Sequence, residues 1–107
     1  MRGCFVPIAI QGDFGKPRPA LVIQSDLFDE HATVTVLLMS SALIDAPLLR
    51  LTVEPSPSNG LRVASQIMID KAMTIKREKL GEPFGIASAE VMVEVARCLA
   101  VFLGIAK

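Results

Sequence analysis

A chain of 107 residues has room for one domain with one modest core. Its 11 Lys+Arg are balanced by 11 Asp+Glu, which excludes a globally basic nucleic-acid binder and leaves only local clusters to attract an anion. With 51% hydrophobic residues, 21% charged residues and a mean hydropathy of +0.50, the chain is richer in apolar surface than a small monomer needs, which points to a second copy covering some of it.

The first predicted strand is Cys4 to Ile10, since Met1-Arg2-Gly3 is followed by an apolar run with no small-residue cleavage site. Gln11 to Lys16 is a glycine-punctuated loop. Arg18 to Gln24 is a second strand, almost continuously apolar and so central or buried on both faces. Ser25 to His31 carries an N-cap and early acids and predicts at most a helical turn. Thr33 to Met39 is β-branched and the clearest strand. Leu48 to Val53 alternates, with Arg50 and Thr52 on one face and Leu49, Leu51 and Val53 on the other.

Residues 54–60, EPSPSNG, form a turn, and Leu61 to Asp70 contains another strand ending in SQIMID. From Ser88 the period becomes helical. Glu90, Glu94 and Arg97 form a polar stripe, most of the remaining surface is apolar, and Gly104 stands where a helix stops. Strands first and a helix last predict a mainly β domain over 1–107, a small curled sheet or barrel closed by one helix. The longest uncharged stretch, Ala32 to Ile44, is broken by hydroxyl residues and too short to span a bilayer, so no membrane partner is expected.

Few residues carry chemistry. The lone His31 lies in a polar turn and reads as a solvated loop residue. Cys4 and Cys98 have no metal-ligand spacing and read as reduced thiols of a cytoplasmic protein; no metal and no cofactor are expected. GDFG lacks the lysine and hydroxyl of a phosphate-cradling loop. Arg18 stands out because Pro17 and Pro19 restrict the backbone on both sides of it to extended conformations. A guanidinium held so stiffly suits a phosphate, and equally a salt bridge to Asp13 or Asp26; the residues alone do not decide. Asp70 either acts as a general base near Arg18 or simply ends a strand. Ser40 and Ser41 are turn formers or phosphate-binding hydroxyls. Lys71, Lys76, Arg77 and Lys79 read as a solvated face.

Taken together, RPALVIQSD after a glycine-rich loop, VTVLLMSS one strand later, SQIMIDKAMTIKREKLG and the final LAVFLGIA resemble the MazF/PemK toxins of type II toxin–antitoxin systems, nearly end to end. The resemblance implies an SH3-like barrel of the MazF/CcdB type with a C-terminal helix, assembled as a homodimer. It also implies a metal-independent endoribonuclease acting on single-stranded RNA, and a MazE/PemI-like antitoxin as partner. By position it makes Arg18 the catalytic arginine, places Ser40 where the family usually has threonine, and makes Asp70 the acid before the Thr74-Ile75 pair. Asp13, Lys16, Ser41, Lys71 and Thr74 are then expected to contact RNA. Cleavage through the ribose 2′-hydroxyl would use Asp70 as base, Arg18 as clamp on the phosphate and Ser40 to hold a phosphate oxygen. The related CcdB toxins, which poison gyrase by contact, and a non-cleaving member that keeps antitoxin binding are the alternatives.

Overall fold

The computed structural model describes residues 1–9 and 16–106. Among them, six strands form one antiparallel sheet: β1 (Cys4–Ile8), β2 (Arg18–Val22), β3 (Thr33–Ser40), β4 (Arg50–Val53), β5 (Ser65–Lys76) and β6 (Gly85–Ile86), in the order β4-β5-β3-β2-β1-β6. One α-helix, α1 (Ala89–Phe102), follows. The sheet curls into a half-barrel and the helix packs against it, as the mainly β expectation required.

The alternation of side chains explains the curl. Phe5, Leu21 and Leu37 lie in register across β1, β2 and β3 and point to one face, joined by Met39, Ile67 and Ile69. That core is capped by Val95 and Cys98 of α1. The residues between them, Val6, Ile8, Ala20, Val22, Val34 and Val36, point to the other face and build a second core with Leu38, Met73, Ile75 and Leu80. Both faces of β2 are therefore covered, which is why it reads as an unbroken apolar run. Each fully buried Leu, Ile or Phe here contributes about 1.5–3 kcal/mol over its exposed state.

β5 bends between the two cores. Met39 pairs with Ile67 and Leu37 with Ala72, so β5 spends Met68 to Lys71 where β3 spends only Leu38. Such a bulge turns a strand and re-aims its side chains. The strand expected to stop at Asp70 instead passes through this bulge and continues to Lys76. The two-residue β6 lies between the 54–60 turn and β1 and was not anticipated.

Local signals were otherwise honoured. Ser25 caps a 3-10 turn at Asp26–Phe28, and Ser88 Oγ accepts from the Val91 N–H at 3.2 Å to start α1. Gly104 adopts φ +76° just past the helix. Cys98 is buried and Cys4 half-buried, neither in a disulfide. Val93, Phe102, Leu103 and Ile105 leave apolar surface exposed on and after α1. Among the described residues, no helix is long and apolar enough to cross a membrane.

Candidate functional site

The β2–β3 ladder stops at the pair Ala20–Leu38, and the next residue, Pro19, has no N–H to continue it. Beyond that point the two strands part. β1 still pairs with β2 as far as Ile8–Arg18, and β5 with β3 as far as Gln66–Ser40. Arg18 and Ser40 each lie two residues outward from the Ala20–Leu38 pair, so they share one end and one face of the sheet. The gap is a cleft of about 300 Å³ lined by Arg18, Pro19, Met39, Ser40, Ser41, Val63 and Ser65. Arg18 and Ser41 are exposed and Ser40 is half-buried. Arg18 and the Ser40-Ser41 pair thus line one cleft.

The turn after β3 is tied down by two contacts. Ser40 Oγ accepts from the Ala42 N–H at 3.0 Å. The buried Gln66 amide accepts from the Ile44 N–H at 3.1 Å and donates to the Ile44 carbonyl at 2.9 Å and to Thr52 Oγ1 at 3.1 Å. Gln66 therefore fixes the segment that follows Ser41. Sequence reasoning passed over it; the signal was an amide inside an otherwise apolar strand, where a polar group needs partners.

Asp70 is not among the residues that line the cleft. It lies in the β5 bulge, which turns it toward β4, where its carboxylate is bound by the Arg50 guanidinium. Arg50 and Asp70 are only 14% and 22% exposed. Burial by itself raises the Asp70 carboxyl, but the Arg50 hydrogen bond and charge outweigh it and hold the group below the usual carboxylate range. A carboxylate so stabilised is a weak proton acceptor, and Arg50 was not singled out from the sequence because the β4–β5 register that pairs them is non-local.

The remaining expected contacts are dispersed. Lys16 is exposed two residues before Arg18, Lys71 is exposed in the bulge, and Thr74 Oγ1 lies 3.0 Å from Thr35 Oγ1 across the β3–β5 pair. Thr35 is five residues along β3 from Ser40, roughly 16 Å at strand spacing, so Thr74 is remote from the cleft. Asp13 lies outside the described residues. Among those described, no group of three or more His, Cys, Asp and Glu side chains is placed to hold a metal ion. A cavity of about 410 Å³ between β4, the 54–60 turn and the start of α1 contains Glu54, Ser56, Ser58 and Ser88 but no cationic side chain to favour an anion.

Comparison with known proteins bears on the family and the fold. Residues 3–103 match the family described as PemK-like, MazF-like toxin of type II toxin–antitoxin system. The chain is 46% identical over 106 residues to the probable endoribonuclease MazF of Mycolicibacterium smegmatis, covering 98% of this chain and 97% of that protein. In fold it is similar to the Mycobacterium tuberculosis toxin MazF-mt6, with TM-score 0.80, 20% identity and coverage of 94% and 96% of the two chains. It is equally similar to a mycobacterial endoribonuclease solved in complex with its cognate antitoxin, with TM-score 0.80, 20% identity and coverage of 100% and 97%. A family match over nearly the whole length, joined to a relative at this identity, settles the assignment: the chain belongs to the PemK-like, MazF-like toxins of type II toxin–antitoxin systems.

Proposed function

We propose that this chain is an endoribonuclease toxin that cuts single-stranded RNA without a metal ion, by attack of a ribose 2′-hydroxyl on the adjacent phosphate. The observation that carries the reading is the cleft where the ladder ends, lined by Arg18 together with Ser40 and Ser41; the 46%-identical probable endoribonuclease supports it. In the reaction the O2′–P bond forms and the P–O5′ bond breaks, leaving a 2′,3′-cyclic phosphate and a 5′-hydroxyl. Charge builds on the non-bridging oxygens. A guanidinium keeps its charge at any working pH and matches two such oxygens at once. Held between Pro17 and Pro19, Arg18 meets that charge with little reorganisation, which is where electrostatic catalysis gains most. Ser40 holds a phosphate oxygen and passes the 2′ proton toward water, and water protonates the departing oxygen.

In this reading Asp70 is a positioning residue that braces the β4–β5 edge through Arg50, not the base. Asp13, Lys16, Ser41, Lys71 and Thr74 are proposed to contact the RNA away from the scissile phosphate. The exposed apolar residues on α1 support a homodimer, and the complex of the mycobacterial fold relative supports a cognate antitoxin as partner. The test is an oligonucleotide carrying a single 2′-deoxy nucleotide at the cut position. The all-ribose strand should be cleaved and the substituted one bound but left intact. Cleavage of both at the same bond would remove the 2′-hydroxyl from the mechanism.

A further inference from the structure

Phe84 is 39% exposed, yet its position is unusually constrained for a loop residue. Its N–H donates to the Phe5 carbonyl at 2.9 Å, and the Ile86 N–H donates to Ser58 at 2.9 Å. The 54–60 turn presses so closely on this segment that a Cβ on Gly60, which has φ +68°, would stand 2.2 Å from the Phe84 carbonyl oxygen. A Cβ on Gly85 would stand 2.0 Å from that of Asn59. The Phe84 ring stacks on the fully buried Phe5 ring, with centroids 6.2 Å apart and planes at 16°. Backbone and ring are therefore both fixed from the core side.

The exposed part of the ring lines a cavity of about 570 Å³ whose other walls include Pro7, Pro17, Pro19, Leu61 and Arg62. Pro19 is also a wall of the Arg18 cleft, and Val63 of that cleft follows Arg62 in the chain, so the two spaces adjoin. A preset aromatic face among flat apolar rings, with a guanidinium alongside, suits a nucleobase. Unpaired bases bind proteins by stacking on aromatic rings and on guanidinium planes. A protein side chain would gain only the apolar part of that match, whereas a base also brings its phosphate to Arg18.

We infer that this cavity is a nucleobase subsite, with Phe84 as the stacking platform and Arg62 as its second contact, taking a base of a nucleotide next to the scissile phosphate. The inference rests on the RNA-cleavage reading above. Phe84→Leu keeps apolar packing on Phe5 but removes the ring. It should lower kcat/KM about tenfold, chiefly through KM, since a stacked base is worth roughly 1–3 kcal/mol and tenfold is about 1.4 kcal/mol. Phe84→Trp should restore it. Arg62→Ala, at an exposed position where folding is not at stake, should weaken binding of an uncleavable 2′-deoxy-substituted RNA by a few-fold. In that RNA, 2-aminopurine placed beside the cut should be quenched by the wild-type chain and not by Phe84→Leu.

The outcomes separate cleanly. Unchanged KM and unchanged quenching in Phe84→Leu, with Arg18→Ala inactive, would leave the nuclease standing and overturn the subsite. Unchanged KM with weakened antitoxin binding would assign the surface to a protein and likewise overturn it. A wild-type chain that cuts no RNA would remove the nuclease reading and the subsite together.

Discussion

Arg18 opens β2 and Arg50 opens β4, so the same side chain begins two strands of one sheet. Arg50 is nearly buried, and its guanidinium is bound to the Asp70 carboxylate and to the Leu49 carbonyl at 3.0 Å. Arg18 is exposed and lines a cleft together with Ser40, Ser41 and Ser65 and the apolar Pro19, Met39 and Val63. Residue type does not distinguish them. Burial and the open volume beside the group do: the Arg50 guanidinium ties β4 to β5, and Arg18 borders an open cleft.

The comparison breaks most sharply at Arg18. Arg18→Ala should lower kcat about 10²–10³-fold, the usual cost of removing a preorganised group that meets transition-state charge. Its thermal midpoint should stay near the wild-type value, because the side chain is exposed. Asp70→Asn should keep cleavage within a few-fold; full loss of activity in a folded Asp70→Asn protein would return the base to Asp70.

Next in size is Gln66→Ala. It leaves the Ile44 N–H and carbonyl without their partner in a buried site and should destabilise the fold by about 2–4 kcal/mol, read from urea unfolding. Arg50→Met should cost about 1–2 kcal/mol at pH 7, because Asp70 keeps a partly buried charge with no partner. The pH dependence has a definite sign. Asp70 is depressed in the folded state, so its contribution is present above the unfolded carboxylate value of about 3.9 and is lost as pH falls through the folded value. The stability gap between wild type and Arg50→Met should therefore narrow on acidification below pH ~4. The smallest effect is at Ser40. Ser40→Ala should lower kcat/KM about tenfold, the scale of one hydrogen bond to a charged group, and Ser40→Thr should restore it by keeping the hydroxyl.

Much of this was legible in the sequence, for identifiable reasons. Arg18 to Gln24 read as a central strand because both faces of Ala20 to Val22 are buried, and α1 read as a helix because Ser88, the Glu90–Glu94–Arg97 stripe and Gly104 all speak to local backbone. The cleft was half legible: prolines around Arg18 and serines after β3 are local, but their meeting depends on where the β2–β3 ladder ends. The continuation of β5 beyond Asp70 was present as the alternation of Met73 and Ile75 with Ala72, Thr74 and Lys76 and was masked by the charged start of that run. The Arg50–Asp70 pair was not legible, since a bulge and a non-local register put them together. β6 is two residues long and leaves no period to read.

The most direct test of the central claim is incubation of the purified chain with a long single-stranded RNA in EDTA, with both new ends mapped, beside Arg18→Ala. Discrete cuts carrying 2′,3′-cyclic phosphate and 5′-hydroxyl ends, made by wild type and absent in the variant, are the predicted result. Intact RNA with a folded wild-type protein, or equal cutting by Arg18→Ala, would contradict it.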